Sequence, residues 1–233
     1  MAVAFDAQSN ADTTGAAAVS FSDSTNLTVG SGTNRALVAL LAWSSTTAPT
    51  GVSITWDGVA LSSVPGAASN HLTAGNTAIY GLVNPNSGTK TFAGSWTGSK
   101  DFYVAAVTYT GVEQSGAANA FITGSIANGG STSATKGLDP AFGDTALGNA
   151  NVAIMGASQN FTSVTEGIQV FLDNTQTAKG CGARIAGSNS HINLTAGVIT
   201  STGNWTISTC QIVASAGAVV VSQDCVTLMG VGG

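Results

Sequence analysis

The chain reads as all-β, a jelly-roll-like antiparallel β-sandwich of two sheets with little or no helix, and three features of its residues predict this. Short apolar or alternating stretches recur throughout. Clusters of Gly, Asn, Asp, Pro and Ser separate them. No stretch of a dozen residues spaces its apolar positions three and four apart, and Glu and Lys, which favour exposed helix, are scarce.

Taken in order, residues 3–5, 18–21 and 27–29 are short strand candidates, followed by a turn at Gly30 to Thr33. Residues 36–43, Ala-Leu-Val-Ala-Leu-Leu-Ala-Trp, are continuously apolar and read as a central strand buried on both faces. Residues 52–56 alternate and run into Asp57-Gly58, a two-residue hairpin pattern that returns the chain through 59–64. Strand 77–83 stops at the turn residues 84–88, and strands 89–96 and 102–109 follow, separated by 97–101.

Residues 116–137 are rich in Gly, Ala, Ser and Thr, with apolar islands at Phe121-Ile122 and Ile126. They read either as a linker or as a long loop carrying a short edge strand. Strand patterns resume at 151–155, 167–172, 182–186, 192–199, 205–214 and 218–222, before a glycine-rich C-terminal tail. A weak repeat runs through this series. Residues 34–40 resemble 149–155, and the turn-aromatic-strand pattern of 100–106 returns at 203–209. The expectation is a single sandwich domain over 1–233 whose halves are two sheets or two Greek-key units. The alternative is two small sandwiches, about 1–115 and 138–233, joined by the Gly/Ser/Thr-rich segment.

Charged residues make up 7% of the chain, against about 25% in ordinary soluble proteins. The six cationic residues are scattered, and the net charge is −5, which argues against nucleic acid as a partner. A surface of Ser, Thr, Asn, Gly and Ala is cheap to desolvate, so it suits packing against neighbouring subunits or contact with neutral sugars. No secretory leader precedes residue 6 and no apolar run near 20 residues is present, so neither a leader nor a membrane span is expected. Synthesis in a host cytoplasm followed by assembly into a particle is the route this suggests.

Several segments resemble a known module: Asn34 to Val38, Val52 to Leu61, Ile79 to Pro85, Ser87 to Thr91 and Val104 to Val112. In their order they are similar to a jelly-roll-type β-sandwich module of tailed-bacteriophage virion proteins and multidomain bacterial surface proteins. The resemblance spans roughly residues 3–215 and rests on structural turns and strands. It implies a role outside a particle or cell, as a capsid decoration protein, a tail or fibre component, or an adhesive domain, and it carries no catalytic or metal residues.

Nothing in the chain reads as catalytic machinery. His71 and His191 sit in polar, turn-like surroundings outside any nucleophile elbow or zinc spacing. Glu113 and Glu166, the only glutamates, read as solvated charges at strand ends rather than a glycosidase pair. Asp6, Asp12 and Asp23 do not form a calcium loop. Neither cofactor nor metal is expected, and the sequons at Asn26, Asn160, Asn193 and Asn204 are those of an Asn- and Thr-rich chain. Cys181, Cys210 and Cys225 are far apart. They read either as buried thiols or with a bridge between Cys210 and Cys225 tying the last strands together.

The aromatic residues Trp43, Trp56, Trp96, Trp205, Tyr80, Tyr103 and Tyr109 lie in or at the ends of strand patterns, where large rings usually fill the core. Trp56, directly before the hairpin turn, is the candidate for exposure and for stacking on a glycan. The function expected is therefore a non-enzymatic bacteriophage virion structural protein, a homo-oligomeric capsid decoration protein contacting the major capsid or other virion proteins. The alternative is a carbohydrate-binding or adhesin module that recognises cell-surface glycans.

Overall fold

The computed structural model describes residues 2–9, 13–44, 47–71, 73–131, 135–138, 149–161, 168–174, 179–185, 194–198 and 203–216. The first half contributes β1 (Ala4–Gln8), β2 (Thr13–Asp23), β3 (Thr28–Val29), β4 (Ala36–Ser44), β5 (Thr50–Trp56), β6 (Val59–Ala60), β7 (Ser62–His71), β8 (Gly75–Val83), β9 (Gly88–Thr89) and β10 (Phe92–Thr110). A four-residue helix, α1 (Ala117–Ala120), separates it from β11 (Phe121–Ser131), β12 (Thr135–Leu138), β13 (Ala150–Ala157), β14 (Ile168–Asp173), β15 (Lys179–Ile185), β16 (Leu194–Val198) and β17 (Gly203–Ile212).

The protein is an all-β sandwich of antiparallel sheets. The first sheet runs β6-β5-β10-β4-β8-β7, with β1 and β2 also pairing with β10, and it curls on itself. The second runs β11-β17-β13-β15-β14, and β12 and β16 form a further pair beside it. The first strand of each half thus lies next to the last, a Greek-key-like arrangement.

β4 explains the layering. All its residues from Ala36 to Trp43 are buried, and because side chains alternate along a strand they serve two cores. Val38 and Leu40 face the second sheet, where Ile79, Tyr103, Val107, Phe121, Val152, Ile154 and Phe171 pack with them. Leu37, Leu41 and Trp43 face the interior of the curled first sheet with Phe21, Ile54, Trp56, Phe92, Trp96 and Phe102. Each fully buried Leu or Ile contributes about 1.5–3 kcal/mol relative to exposure, so a strand with two buried faces anchors the whole stack. On the outer side of the second sheet, Met155, Phe161, Cys181 and Ile207 form a third, smaller core.

The two halves are built alike. Strand order β1/β2-β10-β4-β8-β7 in the first half matches β11-β17-β13-β15-β14 in the second, element for element. The sequence repeat falls on matching strands, since residues 34–40 lead into β4 and 149–155 into β13. Register agrees as well. Ala36 pairs with Tyr109 and Val83, while Ala150 pairs with Ile212 and, one residue on, Asn151 pairs with Ile185. The ends of the two final strands then meet antiparallel. Val112 bridges Ala214, the Glu113 N–H donates to the Val213 carbonyl at 2.9 Å, and the Ser215 N–H donates to the Gly111 carbonyl at 2.8 Å.

Several local features differ from the sequence expectation. Residues 89–96 and 102–109 are not two strands around a turn: one strand, β10, runs from Phe92 to Thr110. Its register slips between Ser95 and Lys100, so its first part pairs with β5 and its second with β4. The polar stretch 97–101 is a bend in a continuing ladder rather than a loop. Phe121 to Ser131, within the segment read either as a linker or as a long loop carrying a short edge strand, forms an 11-residue edge strand paired along β17, longer than the second reading expects. The Asp57-Gly58 hairpin is present, with φ of 51° and 77° at its central residues and Trp56 paired with Val59. The strand expected at 218–222 lies outside the described residues. Among the described residues no helix is long and apolar enough to cross a membrane.

Candidate functional site

The expectation for Trp56 is corrected. Its side chain has no solvent exposure, and its indole N–H donates to the Asn86 carbonyl at 2.8 Å. The Asp57-Gly58 turn projects outward, but the pleat directs the preceding ring into the curled sheet, where it anchors the 84–88 turn. Trp56 therefore has no free face on which a sugar ring could stack.

Trp96, Tyr103 and Tyr109 are also buried, and Trp96 donates to the Ala18 carbonyl at 3.2 Å. Trp205 is half-buried against the outer core of the second sheet. The other two aromatic candidates, Trp43 and Tyr80, come together at the rim of the first sheet. There they line an open groove of about 200 Å³ with Ala48, Pro49, Val52, Ala68, Asn70, Asn76 and Ala78, plus Ser69 and Thr77.

The ladders place these groups. Trp43 pairs with Asn76, which in turn pairs with Asn70, so one row crosses β4, β8 and β7. Paired residues share a face of the sheet, and Ala78 and Tyr80 follow on that face at alternate positions. Asn70 donates its side-chain amide to the Asn76 Oδ1, and the Asn76 amide reaches the Thr47 carbonyl at 3.4 Å, tying the row to the lip beyond β4. Ser69 and Thr77 turn to the opposite face, donating to the Ala127 carbonyl and meeting Ser208 respectively. Gly75 makes the tight corner possible. Its φ is 99°, and a Cβ there would lie 2.2 Å from the Trp43 carbonyl oxygen.

The lining carries no ionisable carboxylate, amine or guanidinium. Trp43 is 2% exposed and its indole N–H has no hydrogen-bond acceptor, which leaves a donor that costs about 1–3 kcal/mol until an acceptor reaches it. The Tyr80 side chain is half-buried, and burial raises its phenol above the ordinary range, so it stays a neutral donor. A half-buried tyrosine ring with a neutral hydroxyl and the exposed Asn70 amide are a set that stacks and hydrogen-bonds an uncharged polar ring.

The remaining candidates are dispersed. His71 sits half-buried at the β7–β8 turn, with Nδ1 accepting from the Thr73 N–H at 3.3 Å. Glu113 Oε1 accepts the N–H groups of Gln114 and Ser115. Asp6 Oδ2 accepts from the Gly30 N–H and the Thr108 hydroxyl, and Asp23 closes a turn over Thr25 and Asn26. Each carboxylate braces a loop. His191, Glu166 and Asp12 lie outside the described residues, and so does Cys225, on which the alternative of a Cys210–Cys225 bridge depends. Cys210 itself is fully buried in the core between the sheets, and Cys181 is buried in the outer core. Among the described residues no three His, Cys, Asp or Glu side chains gather as metal ligands would.

Sequence reasoning weighed Trp43 and Tyr80 as one possibility among seven aromatics and passed over Asn70 and Asn76. The available pointer was the pair of polar positions on either side of the 71–75 turn, which a hairpin brings face to face. No protein-family profile matches the chain, and no curated protein or solved structure does either.

Proposed function

We propose that this chain is a non-enzymatic structural protein of the bacteriophage virion surface, a decoration protein that covers or stabilises the particle through contacts with its own copies and with other virion proteins. The observation that carries the reading is the character of the second sheet's outer strands. β11 bears Ile122 and Ile126 at 44% and 47% exposure, and β14 bears Ile168 at 51%. Proteins that stay alone usually protect such strands with lysines, prolines or inward charges. A charge-poor exterior lowers the cost of burying these strands against neighbours, and many weak contacts of this kind sum over a shell. The resemblance to phage jelly-roll modules supports the same reading.

Light scattering on the purified chain, together with sedimentation alongside particles lacking it, tests the proposal. A discrete oligomer that cosediments with particles supports it. A monomer that stays in the supernatant at every concentration overturns it. The alternative, a carbohydrate-binding or adhesin module, is favoured by one specific observation, the uncharged aromatic groove at the β7–β8 rim.

A further inference from the structure

We propose that the groove at the ends of β4, β5, β7 and β8 binds one neutral pyranose ring of an uncharged glycan. The inference does not depend on the particle reading, because none of the exposed isoleucines of β11 and β14 lines the groove.

Four observations fix the ligand class. The first is charge: no formal charge lines the groove, so an acidic sugar or a phosphate would enter without a counter-ion. The second is size. About 200 Å³ falls below the volume of sites that enclose drug-sized ligands and suits a single ring. The third is chemistry. Tyr80, half-buried, supplies aromatic surface against the C–H face of a sugar over the buried edge of Trp43, while the exposed Asn70 amide, held by Asn76, can donate to and accept from its hydroxyls. The Trp43 N–H lies without an acceptor in the buried floor beneath them.

The fourth observation is the second half of the chain. The positions matching Trp43, Asn76, Ala78 and Tyr80 are Ala157, Lys179, Cys181 and Ala183, paired in the same register across β13 and β15. The corresponding face is a filled apolar core of Met155, Phe161, Cys181 and Ile207 rather than a groove lined by aromatics and amides. The shared framework does not itself require the groove. The first half combines an indole, two amides and a tyrosine where the second half has two alanines, a cysteine and a lysine beside a filled apolar core.

Saturation-transfer NMR and intrinsic tryptophan fluorescence should be run with the methyl glycosides of glucose, galactose, mannose and N-acetylglucosamine, with glucuronate as the charged comparison. The expected result is saturable binding of at least one neutral glycoside and none of glucuronate. Tyr80→Ala should weaken that binding about tenfold or more, and Asn70→Ala several-fold. Trp43→Phe, which keeps an aromatic ring but removes bulk from the floor of the groove, should weaken binding without unfolding the protein, while Lys90→Ala leaves it unchanged. Asn70 is exposed, so its variant preserves the test should Tyr80→Ala fail to fold. Binding of glucuronate alone, no binding of any neutral glycoside, or affinity unmoved in folded Asn70→Ala and Trp43→Phe proteins overturns the inference. Particle association is read separately and can fail without affecting it.

Discussion

The hydroxyls of Thr77 and Ser208 lie 2.9 Å apart in the core between the two sheets, both almost without solvent contact. One belongs to β8 of the first half and the other to β17 of the second, so the pair is a buried polar link across the interface between the halves. Thr77→Val should cost about 1–3 kcal/mol, because it strands the Ser208 hydroxyl. Adding Ser208→Ala should return much of that loss. Denaturant melts of the two single variants and the double variant measure the coupling directly. Additive losses would show that the hydroxyls do not depend on each other.

Arg35 is expected to matter through geometry rather than charge. Its guanidinium donates to the carbonyls of Pro85 at 3.0 Å and Gly32 at 2.9 Å, and to the Asn84 side-chain oxygen at 3.1 Å. It thereby holds the turn before β4 against the turn after β8. Arg35→Ala should lower stability by about 1–3 kcal/mol, and Arg35→Lys should not restore it, since an ammonium cannot span three acceptors as a planar fork does. Full recovery in the lysine variant would refute the forked arrangement.

Burial pushes the thiols of Cys181 and Cys210 well above the ordinary range, and neither reaches solvent. Both should resist alkylation in the native protein and react once denaturant is added. Peptide mapping after a timed iodoacetamide pulse distinguishes the sites, and the same map under non-reducing conditions reads whether Cys210 is joined to Cys225. Rapid native labelling of Cys181 would contradict its place in the outer core.

Glu113 should titrate below its ordinary value. The leading cause is the Ser115 N–H donated to its carboxylate, followed by the Ser115 hydroxyl. A folded pKa lower than the unfolded one contributes stability that is present above the unfolded value and lost as pH falls through the folded value. The effect is confined to acid conditions, and because the group is exposed it should be small. A side-chain NMR titration gives the pKa, and Glu113→Gln should flatten the acid limb of the stability profile. A pKa at or above the ordinary value would refute the assignment.

Gly75→Ala should both destabilise the protein and distort the rim of the groove. The new methyl group meets the Trp43 carbonyl in a backbone region that L-residues avoid. A crystal structure or amide chemical-shift map should show the change confined to the β7–β8 turn and the end of β4. A variant as stable as the parent would mean that the corner relaxes freely.

How much of this was legible in the sequence varies by element. The unbroken apolar run before Trp43 announced a strand buried on both faces, and Asp57-Gly58 announced its hairpin, because both depend on local chemistry. The repeat was visible too, since residues 34–40 and 149–155 fall on matching strands, although the structural register matches Leu40 to Ile154 rather than Met155, one residue from the sequence match. β10 was misjudged because residues 97–101 are polar and glycine-containing, and only pairing with two different partners reveals that they continue a strand. Trp56 was misjudged because a turn sequence says where the chain reverses and not which face the adjacent ring occupies. The groove was hidden for a related reason. Trp43, Asn76 and Asn70 become neighbours only through the β4–β8–β7 register, and register is a property of the assembled sheet.

The antiparallel meeting of Gly111 to Glu113 with Val213 to Ser215 has a bearing on how the protein melts. Two separate chains, each equal to one half, would have to find one another through this contact, and dilution would pull them apart. Joined in one polypeptide, the halves face each other at an effective concentration set by their tether. Docking of the halves is then a unimolecular event, and dilution of the sample gives them no means of separating.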